Sequence, residues 1–458
     1  MRNYQGFESL TRLHFFMLKG CSRMSEVRVR FAPSPTGKVH IGNIRAAIYN
    51  WLYARHTNGK FLLRVEDTDL ERSTPEAIEV LFDCMKWLGL EYDEEVFFQT
   101  KNVKRHLEAV ERLIASGHAY KCERTSRDGK TGTVVMFRMP KEGVIEFDDI
   151  VKGRMAKKAE DIQDFAILRS DGSPIFHIAN VVDDIDQRVT HIIRGDDHVE
   201  NTFKHICIFK ALGAEVPRYG HLSMIVNQQG KPYSKRDGAA FVGEFRDAGY
   251  LPEALFNYLL LLGWNPGDDR EVLTKDEMVA LFDLEKVHVT AAKFDIKKLQ
   301  WMNGEYVKRI PAAEFKKILV EKLEARSLSA EGVDLDYLVD QLQIRTKFLS
   351  DLPDNCLCFF TDDYPVDEKA VEKRLKKDGV KEILLDLVER FLKVDTWQAG
   401  ELENLVKGLS QGNGMGPWVH PIRVACSGRG EGIGLFEMLQ ILGKKKTLER
   451  LSAAAAVL

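Results

Sequence analysis

Two short segments of the sequence carry side chains that could bind a phosphate chain. His40-Ile-Gly-Asn43 stands where a predicted strand and loop enter a helix, and Ser234-Lys-Arg-Asp-Gly238 is a basic loop far along the chain. A helix start offers unpaired N–H groups, and an imidazole can donate to a phosphoryl oxygen. Alone, the first segment is more often a helix cap and the second a solvated turn. Together they suit a reaction that expels pyrophosphate, because positioned donors and cations stabilise charge on a transferring phosphorus.

The elements around these segments predict an α/β fold. Val27 to Ala32 alternates like a strand, a helical pattern runs from there to Asn58-Gly59, and Phe61 to Val65 is a second predicted strand. Strand, helix and strand in this order form a βαβ unit, for which a parallel arrangement is favoured. A second α/β half is predicted from strands at Phe165 to Leu168, Ile175 to Val182 and Thr190 to Arg194, and a helix from about Thr202 to Leu212.

The two halves are separated by a small insertion and followed by a helical region. Between Lys121 and Gly153 the sequence is polar and Gly-rich around a possible strand from Val134 to Met139. After Gly249 the pattern changes to helices only, with predicted helices at Pro252 to Leu262, Phe315 to Leu323 and Leu335 to Leu342. The predicted fold class is therefore α/β, a doubly wound parallel sheet with an insertion, followed by all-α domains.

Composition limits the function without deciding it. The 458 residues include 66 Lys plus Arg and 69 Asp plus Glu, so any nucleic-acid surface must be a local basic face. The seven cysteines show no disulfide spacing, which favours a reducing cytoplasm. Cys356 and Cys358 have no second ligand pair nearby, so buried small hydrophobes are favoured over a zinc site. No apolar run approaches the roughly 18 residues of a membrane span.

The two segments resemble the paired signatures of the class I aminoacyl-tRNA synthetases, His-Ile-Gly-His and Lys-Met-Ser-Lys-Ser. Here they read His40-Ile-Gly-Asn43 and Pro232-Tyr-Ser-Lys-Arg236. The longer run Arg30-Phe-Ala-Pro-Ser-Pro-Thr-Gly-Lys-Val-His-Ile-Gly-Asn43 and the run Arg64-Val-Glu-Asp-Thr-Asp69 are similar to the glutamate branch in particular. Further matches, including Ile193-Arg-Gly-Asp-Asp-His198, extend the resemblance from about Val27 to the end of the chain.

The resemblance implies a domain plan. It comprises an N-terminal extension of unknown role (1–24), the first half of a Rossmann-like catalytic domain (25–118), a shortened acceptor-end insertion (119–163), the second half with the basic loop (164–248), a helical stem-contact domain (249–330) and a helical anticodon-binding domain (331–458). The implied reaction has two steps, formation of glutamyl-adenylate from ATP and transfer to the end of tRNA. The implied partners are L-glutamate and tRNA(Glu), with no DNA and no membrane, for a cytoplasmic monomer.

Amino-acid specificity can also be argued from charge. Glutamate carries one ammonium and two carboxylates, so its pocket should offer an acid and at least one arginine, which matches a carboxylate bidentately. The resemblance implies that Arg30 and Arg194 bind the side-chain carboxylate and that Glu66 binds the ammonium. It implies that the pocket is also lined by Ala32, Ser34 and Phe176.

For the nucleotide, the resemblance implies that His40 and Lys235 stabilise the pentavalent phosphorus. The implied ATP-binding residues are His40, Gly42, Asn43, Ser234, Lys235 and Arg236. Mg²⁺ would accompany the nucleotide without a dedicated protein cage, and no protein-bound zinc is expected. Arg345 matches a position that reads the last anticodon base in members that reject glutamine tRNA, and it could equally be a solvated helix arginine.

Some positions depart from the family pattern. Phe176 stands where tyrosine is common, so one hydroxyl contact is absent or comes from a neighbour such as His177. Pro232 replaces the first lysine of the basic signature. The insertion is short and lacks the Cys and His cluster that some relatives use for zinc. The sequence therefore does not show how the acceptor stem is bound.

Five other functions compete with this interpretation. Glutamine-charging relatives usually read Arg-Phe-Pro-Pro-Glu at the first strand and carry a β-barrel anticodon domain, whereas this tail is helical. A nucleotidyltransferase, or a tRNA-modifying relative that glutamylates an anticodon-loop nucleoside, would not need the large helical domain. An RNA-binding module without catalysis would not need Arg30, Glu66 and Lys235 together. A non-discriminating enzyme that also charges tRNA(Gln) with glutamate stays open.

Overall fold

The computed structural model of the chain describes residues 26–35, 37–69, 73–125, 131–410 and 414–458. The predicted N-terminal extension, residues 1–24, lies outside them. The chain forms two compact units, one of residues up to Phe245 with Phe256–Asp295 and the other of Arg246–Leu255 with Ile296–Leu458. Within the described ranges, every helix is too short or too polar to cross a bilayer.

Strands occur in the first unit, and helices occur in both. The strands are β1 (Arg28–Phe31), β2 (Lys60–Val65), β3 (Phe97–Phe98), β4 (Ala119–Thr125), β5 (Thr131–Phe137), β6 (Val144–Asp149), β7 (Gly153–Lys158), β8 (Phe165–Leu168), β9 (His191–Gly195), β10 (Arg218–Leu222), β11 (Ile225–Val226) and β12 (Ala292–Lys293).

The helices follow the same order along the chain. They are α1 (Ile41–His56), α2 (Pro75–Trp87), α3 (Val103–Ala115), α4 (Phe176–Asp186), α5 (Val199–Ala211), α6 (Val242–Asp247), α7 (Pro252–Leu261), α8 (Lys275–Leu281), α9 (Ile296–Val307), α10 (Ala312–Glu324), α11 (Leu335–Gln343), α12 (Leu352–Cys356), α13 (Glu368–Arg374), α14 (Val380–Leu392), α15 (Ala399–Ser410), α16 (Gly416–Ser427), α17 (Leu435–Leu442) and α18 (Lys444–Ala456).

Parallel strands form the centre of the first unit. β1 pairs in parallel with β2, and β2 with β3, so the parallel βαβ arrangement predicted around α1 is confirmed. β9, β10 and β6 are also parallel, and β6 continues into an antiparallel hairpin with β7. The two sheets border each other where the Thr190 N–H donates to the Arg28 carbonyl oxygen over 2.9 Å. Part of the predicted insertion therefore extends the central sheet.

Two predicted elements are wrong. The segment from Ile175 to Val182 is helical, because it belongs to α4, and not a strand. Its β-branched residues favour a strand, although His177, Asn180, Asp183 and Asp184 recur at the three- and four-residue spacing that marks one face of a helix. The region after Gly249 is not helices only, since β12 pairs in parallel with β11. Two residues are too few to show a strand period.

The second unit is helical, as predicted, and contains a core of its own. Large apolar side chains from its helices are fully buried, including Leu319, Leu384 and Phe391. Cys356 and Cys358 lie in this core, and the Cys356 thiol donates to the Leu352 carbonyl oxygen over 3.0 Å. These thiols therefore pack as small buried side chains. The predicted class, an α/β part followed by an all-α part, is confirmed.

Candidate active site

A cavity of about 680 Å³ lies in the first unit at the C-terminal ends of its parallel strands. Its lining includes the residue that ends or follows each of β1, β2, β9 and β10, namely Phe31, Glu66, Gly195 and Leu222. Ligands of open α/β sheets bind at this edge, because the strand ends and helix starts converge there. The cavity is therefore the candidate active site.

Most of the predicted site residues line this one cavity. They are Arg30, Ala32, Ser34, His40, Gly42, Asn43, Glu66, Phe176 and Arg194. From the basic loop, Pro232 and Tyr233 line the cavity, whereas Ser234, Lys235 and Arg236 follow just outside the lining. Lys235 is exposed. The predicted amino-acid residues and the His40 segment are thus brought together, and the loop lysine stands at the edge of the cavity.

His40 caps the helix that begins at the cavity. Its Nδ1 accepts a hydrogen bond from the Gly42 N–H over 3.0 Å, which satisfies one of the free donors of the first turn of α1. A side chain at position 42 would bring its Cβ within 3.3 Å of that Nδ1, so glycine keeps this helix start open. Burial lowers the pKa of His40, and its hydrogen bond to the Tyr233 backbone raises it by a smaller amount. The remaining N–H groups of the helix start form a donor set that fits phosphate oxygens.

The segment that directly follows the basic loop is joined to this helix start by backbone hydrogen bonds. The Ile41 N–H donates to the Ala240 carbonyl oxygen, and the Val242 N–H donates to the Val39 carbonyl oxygen, both over 2.9 Å. The Phe241 ring meets His40 edge-on at 5.8 Å between centroids. The two segments, almost two hundred residues apart in the chain, are therefore neighbours, as their proposed chemistry requires.

Inside the loop, one carboxylate holds the turn that presents Lys235. Asp237 Oδ2 accepts from the Ser234 N–H over 2.9 Å and from its hydroxyl over 3.0 Å. Asp237 Oδ1 accepts from Asn227 Nδ2 over 2.7 Å. These hydrogen bonds lower the pKa of Asp237, so it is ionised at neutral pH. Asp237 therefore shapes the loop, and Lys235 extends from it into solvent.

At the other end of the cavity, buried charges form a network. Arg30 Nε donates to Asp184 Oδ1 over 3.1 Å, and Arg64 Nη1 donates to the same oxygen over 2.6 Å. Glu66 Oε1 accepts from Asn180 Nδ2 over 2.7 Å and lies 3.5 Å from Arg64 Nη2. Burial raises the pKa of Glu66, and the two arginines partly offset this effect. An incoming ammonium would lower the pKa of Glu66 again, because it stabilises the ionised carboxylate.

Arg194 differs from the other arginines of this network. Its Nη2 donates to Thr202 Oγ1 over 2.7 Å, and its Nε lies 3.4 Å from His221 Nε2. Among the described residues, no carboxylate forms an ion pair with it. Burial lowers the pKa of Arg194 to about 10, because desolvation disfavours its charge. A buried cation without an anionic partner is costly, so an incoming anion would stabilise it.

The pairing of the buried charges indicates which ligand would fit. Arg30 and Arg64 contact the carboxylate of Asp184, and Arg64 also lies beside Glu66. Arg194 is buried as well, and among the described residues no ion pair compensates its positive charge. Glutamate, with net charge of minus one, would neutralise it, whereas neutral glutamine would leave it unbalanced.

Phe176 contributes a ring and no polar contact. It lies in the cavity lining, with its ring 5.9 Å from that of His198. His177, which the sequence suggests as a source of the missing hydroxyl contact, is absent from the described lining of the cavity, and its Nδ1 lies 3.1 Å from His205 Nε2. Burial lowers the pKa of His177 to about 4. The polar neighbour of Phe176 in the cavity is therefore His198.

Several residues of the site were not found from the sequence. Asp184 accepts from both Arg30 and Arg64, Asn180 donates to Glu66, and Arg45 lines the cavity at 2% exposure. Arg64 and Glu66 are two apart at the end of β2, so strand periodicity could have placed them on one face. Nothing local marks the buried Asp184, because its partners are more than a hundred residues away.

The remaining predicted residues can be placed as follows. Arg345 is exposed just after α11 in the second unit, where its Nη1 donates to the Gln341 carbonyl oxygen over 3.3 Å. Across the described ranges, no cluster of three or more His, Cys, Asp or Glu is arranged to hold a metal ion. A Mg²⁺ ion that arrives with the nucleotide therefore remains a prediction.

Comparison with known proteins agrees with this geometry. The family described as tRNA synthetases class I (E and Q), catalytic domain, matches residues 26–131 and 124–301. The family described as anticodon binding domain matches residues 297–455. A glutamate–tRNA ligase of Francisella philomiragia is 41% identical over 463 aligned residues, which cover 93% of this chain and 98% of the relative. A glutamate–tRNA ligase 2 of Thermoanaerobacter pseudethanolicus is 38% identical over 94% of this chain and 98% of its own.

Solved structures give the same result. The crystal structure of a glutamate tRNA ligase from Elizabethkingia meningosepticum, in complex with its amino acid, superposes with a TM-score of 0.83 at 27% identity and covers 94% of this chain and 100% of its own. The glutamate–tRNA synthetase from Elizabethkingia anophelis has a TM-score of 0.81 at 27% identity, with the same coverage. The chain therefore belongs to the class I tRNA synthetases of the glutamate and glutamine (E and Q) group.

Proposed function

We propose that this protein is a glutamate–tRNA ligase, which activates L-glutamate with ATP and transfers it to the 3′ end of tRNA(Glu). The observation that carries the choice of amino acid is the excess positive charge at Arg194, in a cavity that also holds a buried acid, Glu66. Its relatives named glutamate–tRNA ligases, similar over nearly their whole length, support the same choice.

The first step would use both ends of the cavity. Arg194 and Arg30 bind the side-chain carboxylate and Glu66 binds the ammonium, which leaves the α-carboxylate directed toward the nucleotide. An oxygen of that carboxylate attacks the α-phosphorus of ATP, and the bond to the β-phosphate oxygen breaks to release pyrophosphate. His40 and Lys235 stabilise the charge of the pentavalent phosphorus, which is the main contribution that a protein makes to phosphoryl and nucleotidyl transfer.

The second step forms the product. A terminal ribose hydroxyl of tRNA attacks the carbonyl carbon of glutamyl-adenylate, AMP leaves, and the hydroxyl proton leaves with it to solvent. The helical part of the chain, 331–458 with Arg345, would contact the anticodon, and the insertion 119–163 would approach the acceptor end. The enzyme would act as a cytoplasmic monomer and bind Mg²⁺ through the nucleotide.

The test is transfer of labelled glutamate to purified tRNA(Glu) and, separately, to purified tRNA(Gln). Attachment to tRNA(Glu) with release of AMP is expected, and parallel reactions with labelled glutamine should give little product. A preparation that attaches glutamine and not glutamate would contradict the proposal. Attachment of glutamate to tRNA(Gln) as well would define the enzyme as non-discriminating and remove the discriminating role of Arg345.

A further inference from the structure

A buried carboxylate–imidazole pair lies directly behind Arg194. His221 Nδ1 is 2.6 Å from Asp149 Oδ2, and both side chains are completely buried. On the other side of the same ring, His221 Nε2 is 3.0 Å from Thr202 Oγ1 and 3.4 Å from Arg194 Nε. Thr202 Oγ1 also accepts from Arg194 Nη2 over 2.7 Å. The guanidinium is thus held on two of its nitrogens by Thr202 and His221.

The hydrogen bonds around Asp149 determine which nitrogen of His221 carries the proton. Asp149 Oδ1 accepts three backbone N–H groups, from Val151 (3.0 Å), Lys152 (2.8 Å) and His221 (3.2 Å). The other oxygen, Oδ2, then accepts from His221 Nδ1–H. Burial lowers the pKa of His221, so the ring is neutral and Nε2 keeps its lone pair. That lone pair faces the donors of Arg194 and Thr202.

We propose that Asp149 and His221 act as positioning residues that orient Arg194, and that this orientation sets the preference for glutamate over glutamine. The inference rests on the proposed function, in which Arg194 binds the side-chain carboxylate. Three neutral acceptors hold Arg194, namely Thr202 Oγ1, the His198 carbonyl oxygen and His221 Nε2, and its guanidinium lies 5.6 Å from the centroid of the Tyr219 ring. His221 is the acceptor that Nε faces, so its orientation bears directly on the guanidinium plane. Ligand carboxylate binding is bidentate and needs a fixed guanidinium plane.

The pair also links this specificity to the hairpin of β6 and β7, which belongs to the predicted insertion. Asp149 is the last residue of β6, and β6 pairs with β10, which carries His221. The strand end that reaches the central sheet therefore supplies the carboxylate. Its position depends on the tight turn in which Val151 and Lys152 donate to Oδ1.

The decisive variant is Asp149→Asn, which changes one atom. The three backbone N–H groups would keep the amide oxygen, so the amide NH₂ would face His221 Nδ1 and force it to accept. The ring proton would then lie on Nε2 and point at Arg194. Loss of a hydrogen bond to a charged group corresponds to an increase of KM for glutamate on the order of tenfold, with a similar loss of preference over glutamine.

Two substitutions at His221 separate its roles. His221→Phe removes the acceptor and should behave like Asp149→Asn. His221→Gln can place a side-chain oxygen where Nε2 stood, so it should retain most of the preference. In each variant, glutamate-dependent and glutamine-dependent ATP–pyrophosphate exchange are measured on one preparation, so the ratio of the two does not depend on the folded fraction. KM for ATP and kcat should change little.

A matched control is available in the same unit. His106 Nε2 lies 2.6 Å from Asp183 Oδ1, with both side chains fully buried, and neither residue lines the cavity. His106→Gln should lower the thermal unfolding midpoint as the His221 variants do, without changing the preference for glutamate. An equal loss of preference in His106→Gln would overturn the inference, since general destabilisation would then explain it.

Failure of the inference and failure of the proposed function give different results. If Arg194→Ala loses the preference while Asp149→Asn and His221→Phe keep wild-type KM for glutamate, the positioning role is wrong and the proposed function stands. If Arg194→Ala itself keeps the preference, Arg194 does not bind the side-chain carboxylate, and the inference fails with that assignment.

Discussion

The two ends of the cavity are built in opposite ways. At the proposed amino-acid end, Arg30, Arg64 and Asp184 are buried and joined by hydrogen bonds between strands and α4. At the proposed nucleotide end, Lys235 is an exposed side chain on a loop that is held by Asp237. The first end is fixed by folding, whereas the second can adjust to a ligand. Stability and catalysis should therefore respond to different substitutions.

The difference follows from what each end must recognise. A small amino acid that resembles its competitor closely is selected by groups whose geometry is set in advance. A triphosphate changes its geometry during the reaction, so a cation on a solvated loop can follow it at little desolvation cost. Substitutions at the two ends test this division.

The largest effect is expected for Asp184→Ala. This change leaves Arg30 and Arg64 buried without their shared carboxylate, which typically costs about 3–5 kcal/mol of unfolding free energy. Urea unfolding monitored in the first unit is the measurement. Asp186→Ala is the control, because Asp186 lies on the same helix and pairs with the half-exposed Arg105. An unfolding midpoint equal to that of wild type in Asp184→Ala would mean that the buried end is not a stability element.

Lys235→Ala should affect catalysis and leave stability unchanged. Loss of one positioned charge donor lowers the rate of glutamate-dependent ATP–pyrophosphate exchange on the order of 10²-fold or more. The exposed side chain contributes little to folding, so the unfolding midpoint should match wild type. Lys210→Ala, an exposed lysine on α5, is the control. An exchange rate in Lys235→Ala equal to that of this control would remove Lys235 from the catalytic group.

A smaller effect is expected for Asp237→Ala. The variant removes the acceptor of the Ser234 N–H and hydroxyl, which loosens the turn before Lys235 without touching the cavity lining. The expected decrease in exchange rate is about threefold to tenfold, equivalent to the roughly 0.5–1.5 kcal/mol of a typical hydrogen bond. KM for glutamate should not change. A raised KM for glutamate with an unchanged rate would show that the two ends are coupled and not separate.

The smallest effect is the pH dependence of folding stability that the buried His191 causes. Burial lowers the pKa of His191 to about 4, below its unfolded value of about 6.5. Between these values the unfolded state binds more protons, so stability falls as pH decreases through that window, by less than about 1.4 kcal/mol per pH unit. Unfolding midpoints at pH 7 and 5.5 should differ less in His191→Gln than in wild type. An identical pH dependence in both proteins would contradict this assignment.

Local sequence patterns and the family likeness predicted much of the fold, but of the candidate site they predicted only residues that line the cavity or follow its lining. The spacing of Ile44, Ala47, Ile48, Trp51 and Leu52 predicted α1, because apolar residues that recur every three or four positions fall on one face of a helix. The same spacing is present in α4, at His177, Asn180, Asp183 and Asp184, but the β-branched residues between them favoured a strand. The family likeness identified Arg30, Glu66 and Arg194.

The residues that hold the cavity-lining side chains in place could not be found in the same way. Asp149, His221 and Asp184 act through contacts that span many positions, and no short pattern records which distant strand will lie beside which. The sequence alone does not distinguish a buried acid from an exposed one, because the position of the partner arginine is not known. Pairing between distant elements is thus the information that the fold adds.

The hydrogen bond between the Gly42 N–H and His40 Nδ1 has a consequence for the chemistry of activation. With Nδ1 occupied as an acceptor, the single proton of the neutral ring resides on Nε2. The histidine can then orient negative charge but has no vacant site from which to collect a proton. Adenylate formation in this cavity would proceed by charge stabilisation alone, without a proton shuttle.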